Sequence, residues 1–145
     1  MQYELATQYI LHELQINKRY SGYNYIIYAI HLMEKDIFCI DYITKSLYRD
    51  IAKRYKTSWK CVERNIRTVV EAIWENKKID RELKVCIFGK NSVTHKPTNK
   101  EFLEYLFEYI ELYVYYDRNL KCSITGKECV LYPKCRILRG KCILE

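Results

Sequence analysis

A chain of 145 residues is long enough for one domain with its own core and short for two; with 49% hydrophobic residues, four glycines and two prolines, its composition excludes a disordered or many-turned β protein and suits a packed helical one. Net charge is +7, and Lys and Arg against Asp and Glu sum to −2 over residues 1–44, +6 over 45–78, −1 over 79–116 and +4 over 117–145. So concentrated a basic block is the footprint of a protein that displaces counterions from a polyanion, with a merely solvated face as the plain alternative.

Taken in order, the residues from Glu4 to Leu14 place Leu5, Tyr9, Leu11 and Leu14 near helical spacing, and Asn17 to Gly22 interrupts the pattern. A second helix is predicted from Tyr23 to Lys35, with Tyr25, Ile26, Ala29, Ile30 and Met33 as its apolar stripe. A third, from Ile43 to Tyr55, buries Ile43, Leu47, Ile51 and Tyr55 while Lys45, Arg49, Lys53 and Arg54 face outward. Only Lys56, Thr57 and Ser58 separate it from a fourth, and the hydroxyls of Thr57 and Ser58 suit the capping of a helix start.

In that fourth helix, running to Glu75, Val62, Ile66, Val69, Val70 and Ile73 fall within about 100° of arc at ~100° per residue. Lys60, Glu63, Arg64, Arg67 and Glu71 take the opposite arc. Two helices joined by a three-residue turn, the second with an arginine-rich outer face, form the outline of a helix-turn-helix. A fifth helix is predicted over Asp80 to Ile87, closed by a left-handed Gly89, and a sixth from Asn99 to Tyr116, with Thr98 and Glu101 as a capping box. The stripe of that last helix, Phe102, Leu106, Tyr109, Ile110 and Tyr113, is broad enough to suggest a subunit interface. The expected fold is therefore an all-α, six-helix domain over residues 1–116 that contains a helix-turn-helix, followed by a short Cys-rich basic tail, 117–145.

The residues of the fourth helix suit the chemistry of a DNA reader, although many helical domains with a basic face do not bind DNA. The major groove presents guanine O6 and N7 as paired acceptors, which arginine matches, and cytosine N4 as a donor, which glutamate matches. Glu63, Arg64 and Arg67, with Lys60, are the candidate base-reading residues. An intrahelical pair between Glu63 and Arg67 is the simpler account of the glutamate. Lys45, Arg49, Lys53, Lys56 and Ser58 are candidates for phosphate contact, which sets register without reading sequence.

No apolar run reaches 18 residues, and Met1 to Glu4 lacks a basic, apolar leader, so a cytoplasmic protein with no membrane partner is expected. In a reducing compartment the seven cysteines are expected as free thiols or metal ligands rather than disulfides. Cys122, Cys129, Cys135 and Cys142 suit zinc or an iron–sulfur cluster by number, but no Cys-x-x-Cys pair occurs, and free thiols fit the same spacing. Cys39, Cys61 and Cys86 are read as ordinary small residues, Asp36 and Asp41 as surface and capping groups, and His12, His31 and His95 as structural. With no phosphate-binding glycine loop, nucleophile elbow or paired-acid site, no enzyme is expected.

The run from Ile43 to Ser58, then Val62, Glu63, Arg64, Ile66 and Arg67, with Glu71 and Trp74, resembles the C-terminal effector domain of the stage zero sporulation protein A family. The run Lys96, Pro97, Thr98 and Asn99, then Glu101 and Phe102, matches as well, as do His12 to Leu14 and Gly22 with Tyr23, so the resemblance covers about residues 8–112. It implies a six-helix transcription regulator that binds operators close to TGTCGAA as a dimer, with Glu63, Arg64 and Arg67 at base-reading positions. The family has a further base-contacting arginine where this chain has Cys61, beside Lys60, which implies a related operator with altered discrimination at one base pair. The family's sigma-factor surface of RNA polymerase maps to the segment after the fourth helix, where Asn76 to Asp80 and Phe88 with Gly89 keep the frame and Arg81 to Ile87 diverge. The family's phosphorylated receiver domain is not expected within these 145 residues. A second reading is thus an interaction module that modulates a full-length relative or the polymerase, with a metal- or redox-sensing tail.

Overall fold

The computed structural model describes residues 2–115. The cysteine cluster, the tail cations and the predicted end of the sixth helix at Tyr116 lie outside them. Within that span the chain forms α1 (Gln2–Glu13), α2 (Ser21–Lys35), α3 (Arg49–Tyr55), α4 (Trp59–Glu75), α5 (Arg81–Phe88) and α6 (Asn99–Tyr115), with no strand among the described residues. Between α2 and α3 lie a 3₁₀ segment, Ile37–Tyr42, and a π-wound turn, Ile43–Tyr48, that runs straight into α3. A second 3₁₀ turn, Lys90–Val93, bridges α5 and α6.

α2 packs against α1, α4 and α6, while α6 also meets α1, α4 and α5, so these two helices carry most of the core. Ile10, Leu11, Leu14, Ile26, Ile30, Leu47, Ile51, Val62, Ile66, Val69, Ile73, Phe102, Leu106, Tyr109 and Ile110 are fully buried in it. The fourth-helix pattern places its stripe correctly: Val62, Ile66, Val69, Val70 and Ile73 are all in the core. The capping box of α6 forms as expected, Thr98 Oγ1 accepting from the Glu101 N–H at 3.2 Å and Glu101 Oε1 from the Thr98 N–H at 3.0 Å. Asp36 and Asp80 cap the segments that follow them.

Several expectations are corrected. Leu5 is 49% exposed: at ~100° per residue it sits about 170° from the centre of the stripe made by Ala6, Ile10, Leu11 and Leu14. Ser21 and Gly22 belong to α2 rather than to the loop before it. The third helix begins as a π turn, and Tyr55 stays 37% exposed because it packs edge-on to Tyr25 and Tyr28 instead of entering the core. Gly89 has φ 87° but ψ 167°, an extended backbone of positive φ rather than the left-handed helical closure. The broad aromatic stripe of α6 is consumed within the chain: Phe102, Tyr109 and Tyr113 are buried by α1, α2, α4 and α5, so that stripe is core and not a subunit interface.

Two contacts fix how α4 sits. At Gly22 an added Cβ would lie 2.4 Å from the Asn65 carbonyl oxygen and 2.7 Å from Val69 Cγ2, so only glycine permits this approach of α2 to α4. At the other end, Trp74 Nε1 donates to the Ser92 carbonyl at 2.7 Å, and the rings of Trp74, Phe88 and Phe102 follow one another at 5.0 and 5.3 Å between centroids.

Candidate nucleic-acid interface

α3 ends with Lys56 in the left-handed region (φ 54°, ψ 49°), its N–H and that of Thr57 both closing on the Ala52 carbonyl. Ser58 then starts α4, its Oγ accepting from the Cys61 N–H at 3.1 Å. The three-residue turn is thus built from one strained cap and one hydroxyl cap, and it sets the direction in which α4 leaves the core.

On the outer arc of α4, Lys60, Arg64 and Arg67 are exposed and Glu63 and Glu71 half-buried. Arg67 Nη1 meets Glu63 Oε1 at 2.8 Å, so the intrahelical pair that offered the simpler account of Glu63 does form. Its two side chains are 50% and 31% exposed, and an i,i+4 pair of that kind contributes about 0.3–0.5 kcal/mol. A bidentate contact to a base, at ~1–3 kcal/mol of discrimination, outweighs it. The pair therefore orients Arg67 in the free protein without locking it. Lys60 lies 5.8 Å from the Trp59 ring.

The candidate phosphate residues Lys45, Arg49, Lys53, Lys56 and Ser58 are all exposed, the first on the π turn, the next two on α3 and the last two in the turn. Arg54, next to them in sequence, is engaged instead over Tyr55 at 5.5 Å and Tyr28 at 6.0 Å. Cys61 does not share the outer arc. It is half-buried on one flank, where Asn65 Nδ2 donates to its carbonyl at 2.7 Å and to its sulfur at 3.2 Å. A hydrogen bond from Thr57, then one from Tyr25 and the Arg64 charge, hold its thiol below the usual value against the opposing effect of burial. Cys39, by contrast, is pushed up to about 11 by burial and by Asp36 and Asp50.

The opposite flank contains a residue to which the sequence reading assigned no role. Asn99, at the start of α6, donates through Nδ2 to the Glu63 carbonyl at 2.9 Å and to the Tyr48 hydroxyl at 3.1 Å. It ties α6 and the π turn to the middle of α4, and Tyr48, buried at 3% exposure, has its hydroxyl raised by that burial and stays neutral. Its only prior signal was membership of the run Lys96 to Asn99.

Among the described residues no group of three or more His, Cys, Asp or Glu could hold a metal ion, and no helix is long and apolar enough to cross a membrane. His12, His31 and His95 are exposed and lie on separate elements, His31 against the Tyr28 ring.

Fold and surface together define an all-α domain that holds one basic helix face clear of its core, the class of small helical domains with a cationic surface helix. The chain belongs to the family described as sporulation initiation factor Spo0A C terminal, whose model matches residues 7–110. That family is one of DNA-binding regulators, not a class of enzyme.

Proposed function

We propose that this protein is a sequence-specific transcription regulator in which α3, the turn Lys56 to Ser58 and α4 act as a helix-turn-helix, with α4 in the major groove. The observation that carries the reading is the outer arc of α4: Lys60, Arg64 and Arg67 are exposed on a helix whose other face is wholly core. Arg64 and Arg67 take guanine edges, Glu63 a cytosine amine, and Lys60 either a base or a phosphate. Lys45, Arg49, Lys53, Lys56 and Ser58 hold the backbone and set register.

The operator is related to TGTCGAA and is bound by a homodimer, two copies matching two half-sites. Where the family's additional arginine is Cys61, a half-buried thiol on the flank of α4 offers no two-donor fork, so one base pair is read less strictly. The surface formed by the loop after α4 and by α5 is the place for contact with a sigma factor of RNA polymerase. Fluorescence anisotropy on a duplex containing TGTCGAA against a scrambled duplex, at physiological salt, tests the reading. Tighter binding to the first by tenfold or more supports it, and equal affinity refutes sequence-specific recognition.

A further inference from the structure

Beside the outer arc of α4 lies a groove of about 480 Å³, walled by Ile43, Thr44 and Tyr48 of the π turn, by Glu63, Arg67 and Val70 of α4, and by the segment from Lys96 to Lys100. We propose that this segment is a second DNA-contact arm, in which Lys96 and Lys100 bind backbone phosphates of the strand that flanks α4. The proposal rests on the reading of α4 as the helix in the major groove and adds residues which that reading does not use.

Three observations carry it. The first is continuity: two of the groove's walls are Glu63 and Arg67 themselves, so whatever α4 touches is within reach of the groove's rim. A helix about 10–12 Å across fills a major groove about 12 Å wide, which leaves its flanks against the phosphates on either side. One flank carries Cys61 and Asn65; the other carries this groove.

The second is rigidity. Asn99 is bonded to the Glu63 carbonyl at 2.9 Å and to Tyr48 at 3.1 Å, Pro97 is buried, and Thr98 and Glu101 close the capping box. The arm is therefore held in place against the reading helix before any ligand arrives, and little ordering entropy opposes binding.

The third is charge. Lys96 and Lys100 are both exposed, and Lys96 meets Glu71 at 3.5 Å with the two side chains 47% and 42% exposed. An ion pair so open to water is weak and is readily exchanged for a phosphate, which offers a charge-assisted bond to the same ammonium.

The test is the salt dependence of DNA binding by the full chain carrying Lys96→Ala plus Lys100→Ala. The control is Lys18→Ala plus Arg19→Ala, an equal change of net charge at two exposed positions in the loop between α1 and α2. Losing two phosphate contacts makes the slope of log affinity against log salt shallower by about 1.8, which extrapolates to an affinity loss of roughly 30-fold at 0.15 M relative to 1 M. Operator and scrambled duplexes should weaken in parallel, and the control should change either by less than about threefold. A single Lys100→Gln should give about half the change in slope.

An unchanged slope, a change matched by the control, or a loss confined to the operator overturns the proposal. So does a shift in oligomeric state with DNA affinity intact, which would make the groove a contact between copies. If the parent chain binds both duplexes equally and the slope still changes, the arm stands and sequence-specific reading fails. If the parent chain binds no DNA, both fall.

Discussion

Replacing Gly22 with alanine sets two effects against each other. In a helix alanine is favoured over glycine by up to about 1 kcal/mol, so the backbone alone predicts a more stable variant. The added Cβ, however, would stand 2.4 Å and 2.9 Å from the Asn65 carbonyl oxygen and carbon and 2.7 Å from Val69 Cγ2. Reaching an ordinary contact requires α2 and α4 to separate by about 1 Å, and overpacking of a close-packed core costs typically 1–3 kcal/mol. Two of the three contacts are backbone atoms, which no rotamer change relieves, so the upper part of that range applies and the net loss is about 2 kcal/mol. Thermal denaturation followed by circular dichroism should show a midpoint lower by roughly 8 °C, at about 4 °C per kcal/mol for a domain of this size. Adding Val69→Ala should not rescue it, since that removes the side-chain contact and leaves the Asn65 backbone in place. A Gly22→Ala variant as stable as the parent would refute the close approach of α2 to α4.

The α6 cap and the cysteines give further expectations. Thr98→Ala should cost about 1 kcal/mol of stability by denaturant titration, the usual value of a hydroxyl N-cap. The Thr98 N–H holds the Glu101 carboxyl below the ordinary carboxylate range, so its contribution is complete above the unfolded-state pKa and is lost as pH falls through the lowered folded value. The stability difference between the parent and Glu101→Gln should therefore shrink on acidification below about pH 4, and a difference independent of pH would count against the capping bond. With its thiol lowered, Cys61 should be alkylated by iodoacetamide faster than Cys39, whose pKa is about 11, at pH 8, as read by peptide mass mapping. Bound operator should slow the reaction at Cys61, and the reverse order of the two thiols would contradict the geometry around Thr57.

What was readable in the residues follows from how local the cause is. The bounds and buried face of α4 come from one strong 3.6-residue period and a serine cap, and those of α6 from a four-residue capping box, all encoded within a few positions of where they act. The π turn at Ile43–Tyr48 was not readable, because its apolar residues repeat at a spacing that an α-helix also satisfies. Leu5 falls near helical spacing with Tyr9, Leu11 and Leu14, but its angle on the helix, opposite the stripe of Ala6, Ile10, Leu11 and Leu14, puts it outside. The α6 stripe looked too wide for a small core because its width is needed by four neighbouring elements, which only the assembled fold makes visible.

The site divides in the same way. Lys60, Glu63, Arg64 and Arg67 share one helix face and could be found by counting. Asn99 could not, since its partners Glu63 and Tyr48 are 36 and 51 residues away in sequence. Gly22 likewise gave the signal of a helix break and is instead the point at which two helices touch.

The central claim is a division of labour: the outer arc of α4 reads bases, and the cations of α3 and the π turn hold phosphate. It is tested most directly by comparing the operator-to-scrambled affinity ratio of Arg64→Ala plus Arg67→Ala with that of Lys45→Ala plus Arg49→Ala. The first pair should bring the ratio close to one, each arginine contributing about 1–3 kcal/mol of discrimination, while the second weakens both duplexes together and leaves the ratio unchanged. A ratio that survives the loss of Arg64 and Arg67, or that collapses with Lys45 and Arg49 instead, would contradict the account.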